Sequence, residues 1–490
     1  MPMKKTVFTA AILFVALVLI VVTRTFLFTL PPIPAAQPSD LKIDPEKTAS
    51  CLSKALTFKT VSHQDPNQFD NEPFISFHRY LEKTFPLIHA ALQKETINSL
   101  SLLYTWKGTD TTLKPILLYA HQDVVPVAPG TEKEWDHPPY DGIVSDGFIW
   151  GRGALDDKSS MVGILEAVEY LLQNGFQPRR SLLLAFGHDE EVSGTRGAHG
   201  IAELLASRNI QLEFILDEGA VIVKDVVPGV TVPIALIGIA EKGYVSLELS
   251  VKTTGGHSSM PPEHTAIGIL SKAITIIEEN PFPATLKYSA QFFEHVGPKM
   301  PFARKMIFAN MWLFNPLVKK ILSGSPELNA GIRTTAAATL FNGGVKENVL
   351  PTQASAVINF RILPGETVSS TIEYIRKIIG NPDIQIKPIG PGNDPSRIED
   401  TRSKSYEMIQ NTIYSLFSHQ EMVVAPFLVL AATDSHHFAA LTNNTYRFSP
   451  IVYHPEDLKR PHGTNERISV GDYVNTVRFY YEFIRRFDTL

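Results

Sequence analysis

After residue 41 the chain shows two textures of hydrophobic and polar positions. In the first, continuous apolar runs at 115–120 (PILLYA), 182–186 (LLLAF) and 214–216 (FIL) have the length of strands buried on both faces of a parallel sheet. Around them, over Pro45–Leu56, Glu72–Thr84, 160–172 and 195–207, apolar residues recur at helical spacing and predict helices packed on that sheet. From Glu241 the period changes. Val245, Leu247, Leu249 and Val251 alternate with polar residues, the pattern of a half-exposed antiparallel strand. A helix over 265–278, strands over 334–341 and 353–361, a helix over Val368–Ile379 and a strand over 384–388 complete a βαββαβ-like order. The first texture then returns, with a helix over 405–416, a strand ending at Ala432, a strand over 445–448 and a closing helix over 470–486.

These elements predict an α/β fold: a mixed, largely parallel sheet flanked by helices, interrupted by an α+β unit. At 490 residues the chain exceeds what one ordinary core fills, so two domains are expected. A net charge of −5, with no basic block beyond Lys4 and Lys5, argues against a nucleic-acid partner. The single cysteine, Cys51, permits no intrachain disulfide and removes thiolate from any set of metal ligands. Lys4 and Lys5 precede an apolar run at 7–22 that Arg24 closes. We read residues 1–30 as an N-terminal anchor with the bulk of the chain translocated, a cleaved signal for secretion being the alternative, and the Pro-rich 31–40 as a tether.

Candidate chemistry sits where the buried runs end. His188, Asp189, Glu190 and Glu191 follow the run 182–186 at the edge where open α/β sheets place their ligands. Two adjacent carboxylates suggest that Glu191 holds a metal while Glu190 handles the proton of a water; the bland reading is a solvated loop with Asp189 as N-cap. The first strong run delivers His121 and Asp123, and residues two apart in an extended chain point the same way, so Asp123 can back the imidazole. Asp156 and Asp157 open the helix at 160–172 after a Gly-Arg-Gly turn. They are either caps favoured by the helix dipole or, for Asp156, the shared anion between two cations about 3.5 to 4 Å apart. Asp217 and Glu218 end the run at 214–216. One acid-tipped strand is unremarkable; three feeding one edge make a site.

The motifs His121-x-Asp123, Gly151-Arg152-Gly153 to Asp156-Asp157-Lys158, Glu190-Glu191, Asp217 and His462-Gly463 resemble the co-catalytic zinc hydrolases, the aminoacylase and carboxypeptidase family. The segments WDHPPYDG, GHDEEVSGT, GGHSSMPPE and HPEDLKRPHGTNE are most similar to its N-fatty-acyl-amino-acid synthase/hydrolase and carboxypeptidase S branch. The resemblance implies two zinc ions, His121 and Asp217 on one, Glu191 and His462 on the other, and Asp156 between them. It implies Glu190 as general base and Asp123 as partner of His121. His188, His436 and His437 match no ligand position. It further implies that 241–390 is a lid and dimerisation unit inserted between catalytic segments 41–240 and 391–490. From that lid His257 would polarise the scissile carbonyl, across a homodimer interface, and Asn348 and Arg361 would hold a substrate carboxylate.

The expected activity is zinc-dependent cleavage, and formation in reverse, of the amide bond of N-acyl amino acids, N-fatty-acyl ones above all. A carboxypeptidase acting on short peptides is the alternative, since both substrates offer a carboxylate beside an amide. A non-catalytic binding scaffold would be favoured by loss of a ligand or of Glu190, and none is missing. The stretch 280–330 is left over, with far more apolar surface than a connection between helix and strand requires. It is expected to pack on the lid or thicken a dimer interface, or to line an acyl-chain channel through residues such as Phe308 and Trp312.

Overall fold

The computed structural model describes residues 2–30 and 39–488; the rest of the expected tether, 31–38, lies outside the described residues. Among the described residues ten strands form one mixed sheet. At its centre Ile116–His121 runs parallel to Leu182–Gly187 on one side and to Ile215–Asp217 on the other, and Thr445–Arg447 extends the parallel set beyond Ile215–Asp217. All residues of Ile116–His121 and Leu182–Gly187 are buried, as their unbroken apolar runs predict.

Alternation along these strands builds two cores. Ile116, Leu118, Leu182 and Leu184 face the helices Pro45–Leu56, Lys158–Gln173 and Val470–Phe487, while Leu117, Tyr119, Leu183 and Ala185 face the helix Ala198–Ser207. Each such aliphatic side chain, fully buried, contributes about 1.5–3 kcal/mol. Gly163 lets two of the helices touch, because a Cβ there would lie 2.8 Å from Thr476 Cγ2. The helix expected from residue 195 begins only at Ala198, since the Asp189 carboxylate accepts the N–H groups of Arg196 and Gly197 and holds that stretch as a turn.

After Glu241 the chain leaves the sheet for a four-stranded antiparallel sheet in the order Thr335–Gly343, Gln353–Ile362, Gly243–Lys252, Gln385–Asn393. Gly243–Lys252 alternates buried and half-buried positions, and the helices Ala266–Glu279 and Val368–Ile379 cover its inner face around Val245, Leu247, Leu270 and Ile375. The last strand runs beyond the expected 388 to Asn393, and it lies at the sheet's edge, where a proline such as Pro388 is tolerated.

The stretch 280–330 folds into the helices Ala290–Val296, Phe302–Ala309, Met311–Leu322 and Pro326–Ala330. It does not simply thicken the lid. Ala290–Val296 packs on the main-sheet strand Val423–Val429, with Phe292 and Phe427 ring centroids 6.3 Å apart, and Phe302–Ala309 packs on the N-terminal helix Pro2–Leu27.

Candidate active site

The parallel register carries three strand ends to one edge. His121 pairs with Gly187, and Arg447 with Asp217, so the chain leaves the sheet at neighbouring points carrying His121, Glu190 with Glu191, and Glu218. The residues Glu190–Val192 form a 3₁₀ turn that ends at Ser193 and Gly194, both at positive φ. A side chain at Gly194 would strike the Asp434 carboxylate, so the turn needs glycine for both reasons. The bland and the functional readings of this stretch thus divide it: Asp189 holds backbone, whereas Glu190 and Glu191 face the site.

Asp156 lies between two imidazoles. His121 Nε2 is 2.9 Å from its Oδ1 and His462 Nε2 is 3.1 Å from its Oδ2. The same His462 nitrogen is 3.1 Å from Glu191 Oε2. One potential ligand atom from each of His121, Asp156 and Glu218 lies within 4.8 Å of the others, and the same holds for Asp156, Glu191 and His462, and for His121, Glu190 and Glu191. Glu191 Oε1 is buried with no hydrogen-bond partner. A buried carboxylate oxygen in that state, among nitrogen and oxygen donors with no thiolate, fits a borderline divalent cation such as zinc.

The structure puts Glu218, and not the expected Asp217, beside His121 and Asp156. Asp217 Oδ2 accepts the Ser435 N–H at 3.0 Å and its Oδ1 the Glu218 N–H at 2.9 Å. Successive residues at a strand end turn to opposite sides, so only one of the two can face the cluster. The pair was visible in the sequence; which member turns inward was not.

Asp123 stands behind His121, its Oδ1 3.4 Å and its main-chain carbonyl 3.1 Å from Nδ1. Its carboxylate also accepts from Ser62 Oγ at 2.7 Å and from the N–H groups of Glu190 and Glu191 at 3.2 and 3.1 Å. Burial alone would raise its pKa, but His121, Ser62 and the Glu191 N–H hold it below the ordinary carboxylate range. One side chain therefore orients the imidazole and also fixes the turn that carries both glutamates.

Burial pushes Glu190 well above the usual carboxylate pKa, and the nearby charges of Asp434, Glu191 and Glu218 add to it. Glu191 is raised to about 7 by burial and by Asp156. His462 rises to about 10 through its hydrogen bonds to Asp156 and Glu191. Crowding adds to burial here: four carboxylates, Asp156, Glu190, Glu191 and Glu218, share a space in which only two imidazoles can compensate them, and cations would relieve the excess.

Two residues missed in the sequence organise this centre. Glu466 Oε1 accepts the N–H groups of Gly153 and Leu155 at 3.0 and 2.8 Å, shaping the turn that presents Asp156. Arg152 pairs with Glu466 Oε2 and donates to the carbonyls of His462 and Gly463 at 3.3 and 2.9 Å. Both lie inside motifs already named, Gly151-Arg152-Gly153 and HPEDLKRPHGTNE, but their separation of more than three hundred positions hid the contact.

The three decoy histidines make other contacts. His188 Nδ1 is 2.6 Å from Ser101 Oγ, His436 Nδ1 is 2.7 Å from the Thr433 carbonyl, and His437 Nε2 is 3.0 Å from the Ser193 carbonyl. Beyond the strand Gly243–Lys252, the ribbon pairing Gly256–His257 with Val349–Leu350 brings His257 beside Asn348, whose carbonyl accepts the Ser258 N–H at 3.2 Å. His257 is exposed, with Nδ1 2.8 Å from Ser259 Oγ. Arg361 lies on the neighbouring sheet with its guanidinium 4.9 Å from the Tyr244 ring, and among the described residues no carboxylate pairs with it. Among the described residues His257, Asn348 and Arg361 form no part of the carboxylate and imidazole cluster.

Known proteins share this arrangement's sequence and fold. The chain is 44% identical over 441 residues to a probable carboxypeptidase S-like 2 of Dictyostelium discoideum, covering 89% of this chain and 84% of that protein. It is 42% identical over 443 residues to the human N-fatty-acyl-amino acid synthase/hydrolase PM20D1, covering 89% and 87%. The crystal structure of an M20 family metallo-carboxypeptidase, Sso-CP2 from Sulfolobus solfataricus, superposes with a TM-score of 0.65 at 19% identity, covering 92% of this chain and all of that one, which shows the fold. A profile of peptidase family M20/M25/M40 matches residues 117–486, and the chain, a metallohydrolase, belongs to that family.

Proposed function

We propose that the protein cleaves, and in the reverse direction forms, the amide bond of N-acyl amino acids, N-fatty-acyl amino acids in particular. The observation that carries this is the single Asp156 carboxylate bracketed by His121 and His462, with Glu191 and Glu218 beyond them and Glu190 within reach. His121, Asp156 and Glu218 would hold one zinc, and Asp156, Glu191 and His462 a second. When bound, such a pair polarises the scissile carbonyl and acidifies water.

The chain's own residues do the rest. Glu190, whose raised pKa keeps it able to hold a proton, takes one from the attacking water and returns it to the leaving amine. Asp123 keeps His121 oriented. His257 donates to the carbonyl oxygen as charge develops there, and Asn348 with the carboxylate-free fork of Arg361 binds the substrate's carboxylate. Thr335–Gly343, paired on one side only, supports a homodimer through the lid. The 23-residue apolar helix Lys5–Leu27 supports a membrane anchor with the catalytic part translocated, or a signal for secretion.

The 44% identity to a carboxypeptidase S-like protein favours a second reading, a metallopeptidase acting on short peptides. A hydrolysis panel of N-oleoyl, N-acetyl and dipeptide substrates, with and without added zinc, separates the two. Zinc-dependent turnover led by the N-oleoyl compound is expected; a preference for dipeptides hands the function to the peptidase reading.

A further inference from the structure

The helix Met311–Leu322 is apolar around most of its circumference, yet only one side of it is covered. Val318 and Leu322 are buried and Phe314 is half-buried against Leu286, Phe293 and Ile332. Away from them Trp312, Leu313, Leu317 and Ile321 are 56, 39, 44 and 53% exposed; Leu313, Leu317 and Ile321 recur every four residues along one stripe, and Trp312 stands beside Leu313 in the first turn. Phe302, on the preceding helix, is 53% exposed as well. A row of large apolar side chains open to water marks a binding surface.

What covers it is indicated by the neighbour it already has. The end of the helix Pro2–Leu27 is seated on this same hairpin: Asn310 Nδ2 donates to the Val21 carbonyl at 3.1 Å and to Thr25 Oγ1 at 3.3 Å, and the Phe26 and Phe302 rings are 5.8 Å apart. Val21 and Thr25 are buried there, whereas the helix from Val7 to Ile20 is largely exposed. A segment long and apolar enough to cross a bilayer thus ends against the hairpin, and its last turns set the level at which the chain leaves hydrocarbon. The hairpin over 302–322 carries Arg304, Lys305, Lys319 and Lys320 and no acidic residue, which complements anionic headgroups. The exposed Trp312 of its second helix is the residue type that favours the membrane interface.

We propose that this hairpin lies in the interface of the bilayer that its N-terminal helix enters, with Trp312, Leu313, Leu317 and Ile321 dipped among the upper acyl chains. The chain is then mounted on the membrane at two adjoining points and is not hung from it by the tether alone. This goes beyond the proposed amide chemistry and does not depend on it. It also replaces the expected channel role of Trp312, whose side chain points outward.

Trp312 supplies its own reporter, because Trp106, Trp135 and Trp150 are buried. The full chain is reconstituted in phosphatidylcholine and phosphatidylglycerol vesicles with and without brominated acyl chains, with Trp312→Phe used to assign the signal. A blue-shifted Trp312 emission is expected, most of it lost in brominated vesicles and protected from aqueous iodide. Combining Leu313→Glu with Leu317→Glu should restore iodide access while the chain stays vesicle-bound through its first helix. Quenching by iodide alone in the parent chain would show the stripe free in water, and protection from both quenchers would show it covered by protein; either result overturns the proposal.

Discussion

Arg152 and Glu466 form a buried ion pair, Nη1 to Oε2 2.6 Å, that ties the turn presenting Asp156 to the loop presenting His462. Removing one partner leaves the other charge buried without compensation, at a cost of about 3–5 kcal/mol. Glu466→Ala should therefore lower the unfolding midpoint and release metal from both positions. Arg152→Lys keeps the charge but not the fork that reaches the His462 and Gly463 carbonyls, so it should loosen the His462 side first. Urea unfolding with metal analysis after dialysis checks both; unchanged metal content in Glu466→Ala would refute the link.

Glu218 and Asp217 can be told apart by metal content. Glu218→Ala should lose one of the two metals and nearly all turnover. Asp217→Asn keeps an acceptor for the Glu218 N–H, so it should retain both metals at a moderate loss of stability. Metal stoichiometry is the decisive measurement, and the opposite pattern would return the ligand role to Asp217.

Glu190→Gln should abolish turnover while the metals stay bound, because the proposed base is separate from the five residues that would hold them, His121, Asp156, Glu191, Glu218 and His462. His257→Ala should be inactive yet folded. If His257 acts across a dimer interface, mixing these two variants regenerates some sites containing both groups. Recovered activity after verified subunit exchange is the expected result, and none at all would place His257 within its own chain or outside catalysis.

Glu166 offers a test of stability against pH away from the site. Burial raises its carboxyl to about 7 despite hydrogen bonds from Tyr473 and Thr48. Between the ordinary carboxylate pKa and about 7 the folded chain holds a proton that the unfolded chain has released, so stability falls as pH rises through that window. Glu166→Gln should flatten this slope and leave the protein more stable than the parent at pH 7 to 8. Thermal unfolding from pH 5 to 8 gives the answer; parallel curves for the two proteins would exclude the assignment.

Much of this protein was legible in its linear pattern. Runs such as 115–120 and 182–186, and the strict alternation from Val245 to Val251, report period and burial directly, because a residue's face in a strand follows from its position alone. The placing of His121, Glu190 and Glu191 at strand ends followed from the same runs.

Only the tertiary structure decided which of two neighbours faces the cluster. Asp217 turns to the Ser435 N–H and Glu218 to His121, a choice set by the strands and turns packed around them and not by the local sequence. Asp189 and Glu190 are equally acidic on paper, yet one accepts backbone N–H groups while the other stands with His121 and Glu191. The Arg152–Glu466 pair and the seating of Val21 and Thr25 on Asn310 join positions hundreds of residues apart. Hydrophobic period is a local property that a sequence carries on its face, whereas a contact between distant segments exists only once the sheet register has brought them together.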